Sequence, residues 1–204
     1  MFLLGFDNGA EAIARLPFPI VGSPLVTASE VATMDFARTV LDIPVPRVLA
    51  WSSRPNDVGT EFIVCEKAPG VEMNEVWRNT GSTYEDFEKL THISRGIYDL
   101  EKKFISHQFS SYGSIFYKED LEGLPHSKDL WADGRTDKAS ERFAIGPMMI
   151  WDLWRGERST MDIDRGPCVP DLTTVILDCP HFISRVRSSI FHHRSSEMRT
   201  GVDS

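Results

Sequence analysis

The chain has 204 residues, 41% of them hydrophobic and 25% charged, which fits a soluble globular protein with one ample core or two small ones and excludes disorder throughout. Its 22 basic against 30 acidic residues leave a net charge of −8, which argues against nucleic acid as a main partner because phosphate binding needs a basic face. Cys65, Cys168 and Cys179 are odd in number and lack the paired spacing of a disulfide framework, no apolar run reaches membrane-spanning length, and no targeting sequence is visible in the first residues, which carry Asp7 and Glu11.

In chain order, FLLGF reads as a strand, Asp7-Asn8-Gly9 as a hairpin turn, and AIARL as the returning strand, ended by Pro17 and Pro19. Met1 opens straight into this hairpin, so the expectation is a sheet joined in mid-course, with an earlier strand missing from this version of the chain. Arg15 lies between Ala14 and Leu16; its side chain either points to solvent or meets a partner.

Thr27 to Leu41 predicts a helix, with Thr27 as N-cap, Glu30 as the capping-box acid, and Val31, Met34, Ala37 and Leu41 along one stripe. A second reading pairs Glu30 with Arg15 across helix and sheet, and the two are compatible. IPVPRVLAW and EFIVCE supply two further strands around a Pro55–Gly59 loop, and Pro69-Gly70 closes the second with a turn. Two strands, a helix and two more strands describe an α+β lobe.

Beyond the turn, Met73 to Trp77 is helical, and a longer helix starts near Thr83. Its Phe87, Leu90, Ile93, Ile97, Leu100 and Phe104 recur at three and four and predict one buried face. SSYGSIFY returns to β character with Gly113 at a turn or bulge, and Lys118–Lys138 reads as a polar loop. Trp151 and Trp154 fit one packed face of a short helix. From Pro170 the chain is Ser-rich and aperiodic, which predicts a frayed or disordered end.

Taken together, the NG turn, IAR, SEVAT, IPVPRVLAW, FIVCEKAPG, YGSIFY, FAIGP and the DRGP at Asp164–Pro167 resemble the fungal aminoglycoside-phosphotransferase-like proteins, most of all their altered inheritance of mitochondria subgroup. The resemblance runs from about Phe2 to Pro167. It implies a protein-kinase-like N-terminal lobe of antiparallel sheet plus one helix and a hinge over residues 1–70, an incomplete helical lobe with linking helices and inserted strands over 71–167, and a divergent tail over 168–204. It further implies ATP and Mg²⁺ as cofactors and a mitochondrial location, with the cytoplasm as alternative.

Residue by residue, Arg15 matches the basic side chain that contacts ATP phosphates and Glu30 its acidic partner. Cys65 would border the adenine pocket, with Glu66 and Ala68 offering backbone groups to the base. Arginine where many kinases carry lysine keeps the charge and changes the donor geometry.

Phosphoryl transfer by this architecture needs a catalytic-loop Asp, an Asn and a metal-binding Asp. The histidines at 92, 107, 126, 181, 192 and 193 provide no His-x-Asp core followed by Asn. The expectation is therefore a chain truncated before the catalytic loop, with no catalytic residue or metal ligand of its own. The alternatives are a noncatalytic mitochondrial interaction or scaffold protein, whose partner would cover the incomplete lobe, and a nonfunctional gene-model fragment. Cys179, His181, His192 and His193 fit no common zinc spacing, no G-x-S-x-G elbow occurs, and the glycines lack a dinucleotide-loop pattern.

Overall fold

The computed structural model describes residues 1–17, 25–81, 83–124 and 127–168. In chain order its strands are β1 (Phe2–Gly5), β2 (Glu11–Arg15), β3 (Val48–Ser52), β4 (Phe62–Glu66), β5 (Ser114–Tyr117), β6 (Lys128–Asp129) and β7 (Phe143–Gly146). The helices are α1 (Leu25–Thr39), α2 (Met73–Arg78), α3 (Tyr84–Ile105), α4 (Lys138–Arg142) and α5 (Trp151–Trp154). The described residues thus form a mixed α/β structure with two antiparallel sheets.

The Asn-Gly turn sets the first pairing. Asn8 Oδ1 accepts from the Ala10 N–H at 3.0 Å, and Gly9 takes φ +80°, a conformation that costs glycine little. β1 pairs with β2, β2 with β4 and β4 with β3, giving the order β1-β2-β4-β3. The second sheet has the order β5-β7-β6, with β7 buried along its whole length.

Helix α1 joins the two sheets, packing on β3 and β4 of the first and on β5 of the second. A helix covered from two directions needs more than one apolar stripe, and its buried set is broad: Thr27, Ala28, Ser29, Val31, Ala32, Phe36 and Ala37. This corrects two expectations. Thr27 is no N-cap, because the helix has begun by Leu25 and Thr27 lies buried in its first turn; and Met34, expected in the buried stripe, is only half-buried while Phe36 is fully enclosed.

Phe36 is the centre of an aromatic cluster. Its ring meets Phe143 edge-on at 5.5 Å, Phe109 at 5.7 Å and Trp131 at 6.0 Å. Leu130, Trp131 and Ile145 are buried beside it, so the core crosses the division expected at residue 70. Leu121, Leu130 and Trp131 belong to the stretch expected to be a polar loop. They occur as Leu121 and a short Leu130-Trp131 pair within a largely polar stretch, too few to mark a period. Trp131 is held by its own indole N–H, which donates to both carboxylate oxygens of Asp137 at 3.0 Å, while Asp137 also caps α4 by accepting from the Ser140 N–H at 2.8 Å.

Gly113 stands where its backbone almost touches that of the end of β7. A Cβ there would lie 2.3 Å from the Gly146 carbonyl oxygen, so only glycine fits. The DRGP segment returns to this region: Tyr112 and Cys168 exchange two backbone hydrogen bonds of 2.8 Å. Arg165 ties the preceding loop together, its guanidinium lying 4.2 Å over the Trp154 ring and donating to the Leu153 and Met161 carbonyls. Around α5 the buried side chain is Leu153; Trp151 is exposed, contrary to the packed pair of tryptophans expected.

α3 forms where expected, with Thr83 and Asp86 in a reciprocal capping box, but its apolar face is not buried. Tyr84 is 76% exposed and Phe87 68%, and among the described residues no element packs along the helix. Its last turn alone meets the rest, where the Lys103 ammonium reaches the Asp42 carbonyl. The tail expected to fray from Pro170 and the cysteine–histidine set at 179, 181, 192 and 193 lie outside the described residues.

Phe36→Ala should cost about 3–5 kcal/mol in urea denaturation; a loss under about 1 kcal/mol would show that the two sheets do not depend on α1. Hydrogen bonds from the Ser140 N–H and the Trp131 indole hold the Asp137 carboxyl down from its ordinary 3.8 to about 2. A folded-state pKa below the unfolded one gives stability that is full above pH 3.8 and is lost as pH falls toward about 2. Asp137→Asn should therefore flatten the stability profile across that window, and an unchanged profile would refute the pairing.

Candidate functional site

Antiparallel pairing places the site residues before any side chain is considered. Arg15 is the last residue of β2 and pairs with Ile63, and Ile13 pairs with Cys65, so by alternation Arg15, Ile13, Ile63 and Cys65 share one face of the sheet. Glu30, one turn into α1, reaches the same place and its Oε1 accepts from the Arg15 guanidinium. Both side chains are partly exposed, 47% for Arg15 and 30% for Glu30, so the pair contributes about 0–1 kcal/mol to stability. Its consequence is position: one guanidinium is fixed beside β4 with donors to spare.

Cys65 is half-buried next to it, its Sγ 3.8 Å from the Ile13 carbonyl oxygen. Burial pushes the thiol pKa up, the Arg15 charge opposes that, and the Glu66 carboxylate adds to it. A group so placed is a neutral thiol at physiological pH and a poor nucleophile. It serves the site as a small apolar wall.

Glu66 belongs to a different cluster. Its carboxylate accepts from the Arg47 N–H and the Arg47 Nε, both at 3.1 Å, and lies 4.0 Å from Arg38; the backbone N–H of Arg47 is the main reason its pKa is lowered. The Glu66 N–H is itself bound to the Arg47 carbonyl at 2.9 Å. A base could therefore meet Glu66 through its carbonyl alone. Ala68 is exposed two residues on, before the turn at Gly70 with φ +107°, and among the described residues its N–H has no hydrogen-bond partner. Lys67 is anchored to Glu11 at 2.7 Å, which ties the start of the turn back to β2.

The five residues thus divide. Arg15, Glu30 and Cys65 are brought together, Ala68 offers a free backbone donor beyond them, and the Glu66 side chain is committed elsewhere. Among the described residues no three His, Cys, Asp or Glu side chains converge.

Sequence reasoning passed over a second polar cluster on the far end of α1. The Tyr117 hydroxyl donates to Asp35 Oδ2 at 2.7 Å, Arg142 donates to the same oxygen, and the Tyr117 ring stacks on Phe143 at 5.3 Å and on Trp51 at 6.3 Å. Burial, then the bond to Asp35, raises the Tyr117 pKa well above the usual phenol range. The residues are 82 positions apart in the chain, and no local pattern links them.

No family model matches the chain, and no solved structure matches it. It is similar to a subtelomeric hrmA-associated cluster protein of Aspergillus fumigatus, with 39% identity over 170 residues, 82% of this chain and 30% of that protein. It is also similar to altered inheritance of mitochondria protein 9, mitochondrial, of Candida tropicalis, at 31% identity over 72% of this chain and 24% of that protein, and of Candida albicans, at 28% over 87% and 30%. The chain spans less than a third of the length of these relatives. The Candida relatives are named as mitochondrial proteins, which supports the mitochondrial location that the sequence resemblance implies; the aminoglycoside-phosphotransferase assignment and the kinase-like fold do not follow from these names.

The placement of Cys65 gives a site-resolved check. Its raised pKa means that alkylation by iodoacetamide, followed by mass spectrometry of the Cys65 peptide, should be slower than for free cysteine and should accelerate only above the ordinary thiol range. Removing the opposing charge in Arg15→Ala should slow it further; faster alkylation would mean that Arg15 does not face Cys65.

Proposed function

We propose that this chain is a nucleotide-facing lobe of the aminoglycoside-phosphotransferase-like kind, without phosphoryl transfer of its own. The observation that carries the reading is the Arg15–Glu30 pair beside Cys65: a strand cation oriented by a helix carboxylate, on the strand face from which Cys65 leads into an exposed turn whose Ala68 N–H has no partner among the described residues. Arg15 would hold phosphate, Glu30 would fix the guanidinium, and the Glu66 carbonyl and Ala68 N–H would meet the base. ATP brings the phosphate charge that this arrangement complements, and Mg²⁺ would arrive with it, since the described residues do not converge on a metal.

The chain's sequence contains no His-x-Asp followed by Asn to accept the hydroxyl proton and hold metal, so the reading stops at binding. Affinity is expected to be weak, because one lobe encloses one side of a ligand.

A second reading, a noncatalytic mitochondrial interaction protein, draws on a different observation. Val71, Trp77, Tyr84 and Phe87 on and around α2 and α3 are all more than 60% exposed, and an amphipathic helix left open in this way is what a partner would cover.

A thermal-denaturation titration with Mg·ATP discriminates the first reading. Ligand at ten times its Kd should stabilise the fold by about 1.4 kcal/mol. The shift should vanish in Arg15→Ala and shrink in Glu30→Gln. No shift at any concentration, or an equal shift in Arg15→Ala, would leave the interaction reading in place of the nucleotide one.

A further inference from the structure

A cleft of about 380 Å³ lies between α1, β3 and β5; neither Arg15 nor Cys65 lines it. Its floor and walls are apolar and aromatic: Met34 from α1, Leu49 and Trp51 from β3, and Tyr117 from β5. At one end stand two cations, Arg38 and Arg47. The volume is that of a small-molecule site, and the mixture of an apolar body with a few convergent polar groups is how such sites fix a ligand.

The charges do not balance within this cluster. Arg38 and Arg47 share a single carboxylate, Glu66, at 4.0 and 3.1 Å. Asp35, the acid in the lining itself, is already taken by the Tyr117 hydroxyl and by Arg142. One positive charge is left over at the cleft mouth, in a chain whose net charge is −8. The donors are available as well. Arg38 uses Nη1 on the Val45 carbonyl at 2.6 Å and Arg47 uses Nε on Glu66, which leaves further N–H groups on both guanidiniums, and the Arg47 side chain is 64% exposed.

We propose that this cleft is a binding site for an amphipathic monoanion, a carboxylate bearing an aromatic or aliphatic body. Its acidic group bridges Arg38 and Arg47, and its apolar body lies against Trp51, Met34 and Tyr117. A planar guanidinium pair is suited to a carboxylate, and the stacked Trp51 and Tyr117 rings give the body a flat wall. Because Met34 and Arg38 are on α1 and Arg47 and Trp51 are on or next to β3, an occupant would clamp the helix to the edge strand, on the same helix that presents Glu30 to Arg15.

The test uses indole-3-acetate as probe, with its neutral amide and inorganic phosphate as controls, by calorimetry and by NMR of the Trp51 indole N–H on the full chain. Expected are saturable binding of the carboxylate, a perturbed Trp51 resonance, and affinity about tenfold weaker both for the amide and for the carboxylate in Arg47→Ala. Arg47→Ala changes a largely exposed side chain; circular dichroism and the dispersion of the other indole signals establish that it folds, and Trp51→Phe, which keeps the apolar wall, is the second variant. The proposal is overturned if the carboxylate shows no saturable binding, if the amide binds equally well, if phosphate alone competes with the same affinity as the carboxylate, or if Arg47→Ala leaves binding unchanged.

Discussion

The enclosure of α1 between two antiparallel sheets is the constraint on which the rest of the structure depends. A helix packed on one sheet needs one stripe; this helix presents small residues, Ala28, Ala32 and Ala37, where backbone approaches backbone, and one large ring, Phe36, where the gap must be filled. Phe36 meets three aromatic rings from segments far apart in the chain, Phe109, Trp131 and Phe143. Their burial fixes the distance and angle between the small sheet and the helix. The first sheet is then joined to the second through the helix, with a direct link where the Trp51 ring of β3 stacks on Tyr117 of β5.

The polar features follow from that placement. Once α1 is fixed, Glu30 at its start falls beside the end of β2, and Asp35 and Arg38 on its later turns fall beside Tyr117 and Glu66. One helix therefore organises two separate groups of charges. The first is an exposed ion pair that contributes little to stability and much to the position of a guanidinium. The second is a half-buried set in which Tyr117, Asp35 and Arg142 satisfy one another, while Arg38 and Arg47 share one carboxylate. Within the second group two causes act in opposite directions: burial drives the Tyr117 phenol up in pKa, while backbone and guanidinium N–H groups of Arg47 drive the Glu66 carboxylate down.

The same economy leaves part of the chain without cover. α3 has the capping box, the length and the three-and-four spacing of a core helix, and no element among the described residues lies on it. Its pattern is an instruction to pack that the described residues do not answer.

Much of the local chemistry was legible in the sequence. The Asn-Gly hairpin, the four strands around one helix and the start of α3 near Thr83 were readable because each rests on residues close in the chain or on a fixed period, and the pairing of Arg15 with Glu30 was one of two compatible readings. Other features were decided only by tertiary structure. Leu130 and Trp131 became core because α1 brought Phe36 over them, although the stretch around the pair is polar. Thr27 gave up its cap because the helix begins earlier and buries it. Phe87 stayed exposed because a periodic stripe states a need and cannot supply the partner. The cleft beside Arg38 and Arg47 arose from residues on three elements that no spacing relates. A sequence specifies hydrogen-bonding and periodic preference along the chain; which surface meets which is set by how much apolar area each arrangement removes from water, and that is a property of the assembled fold.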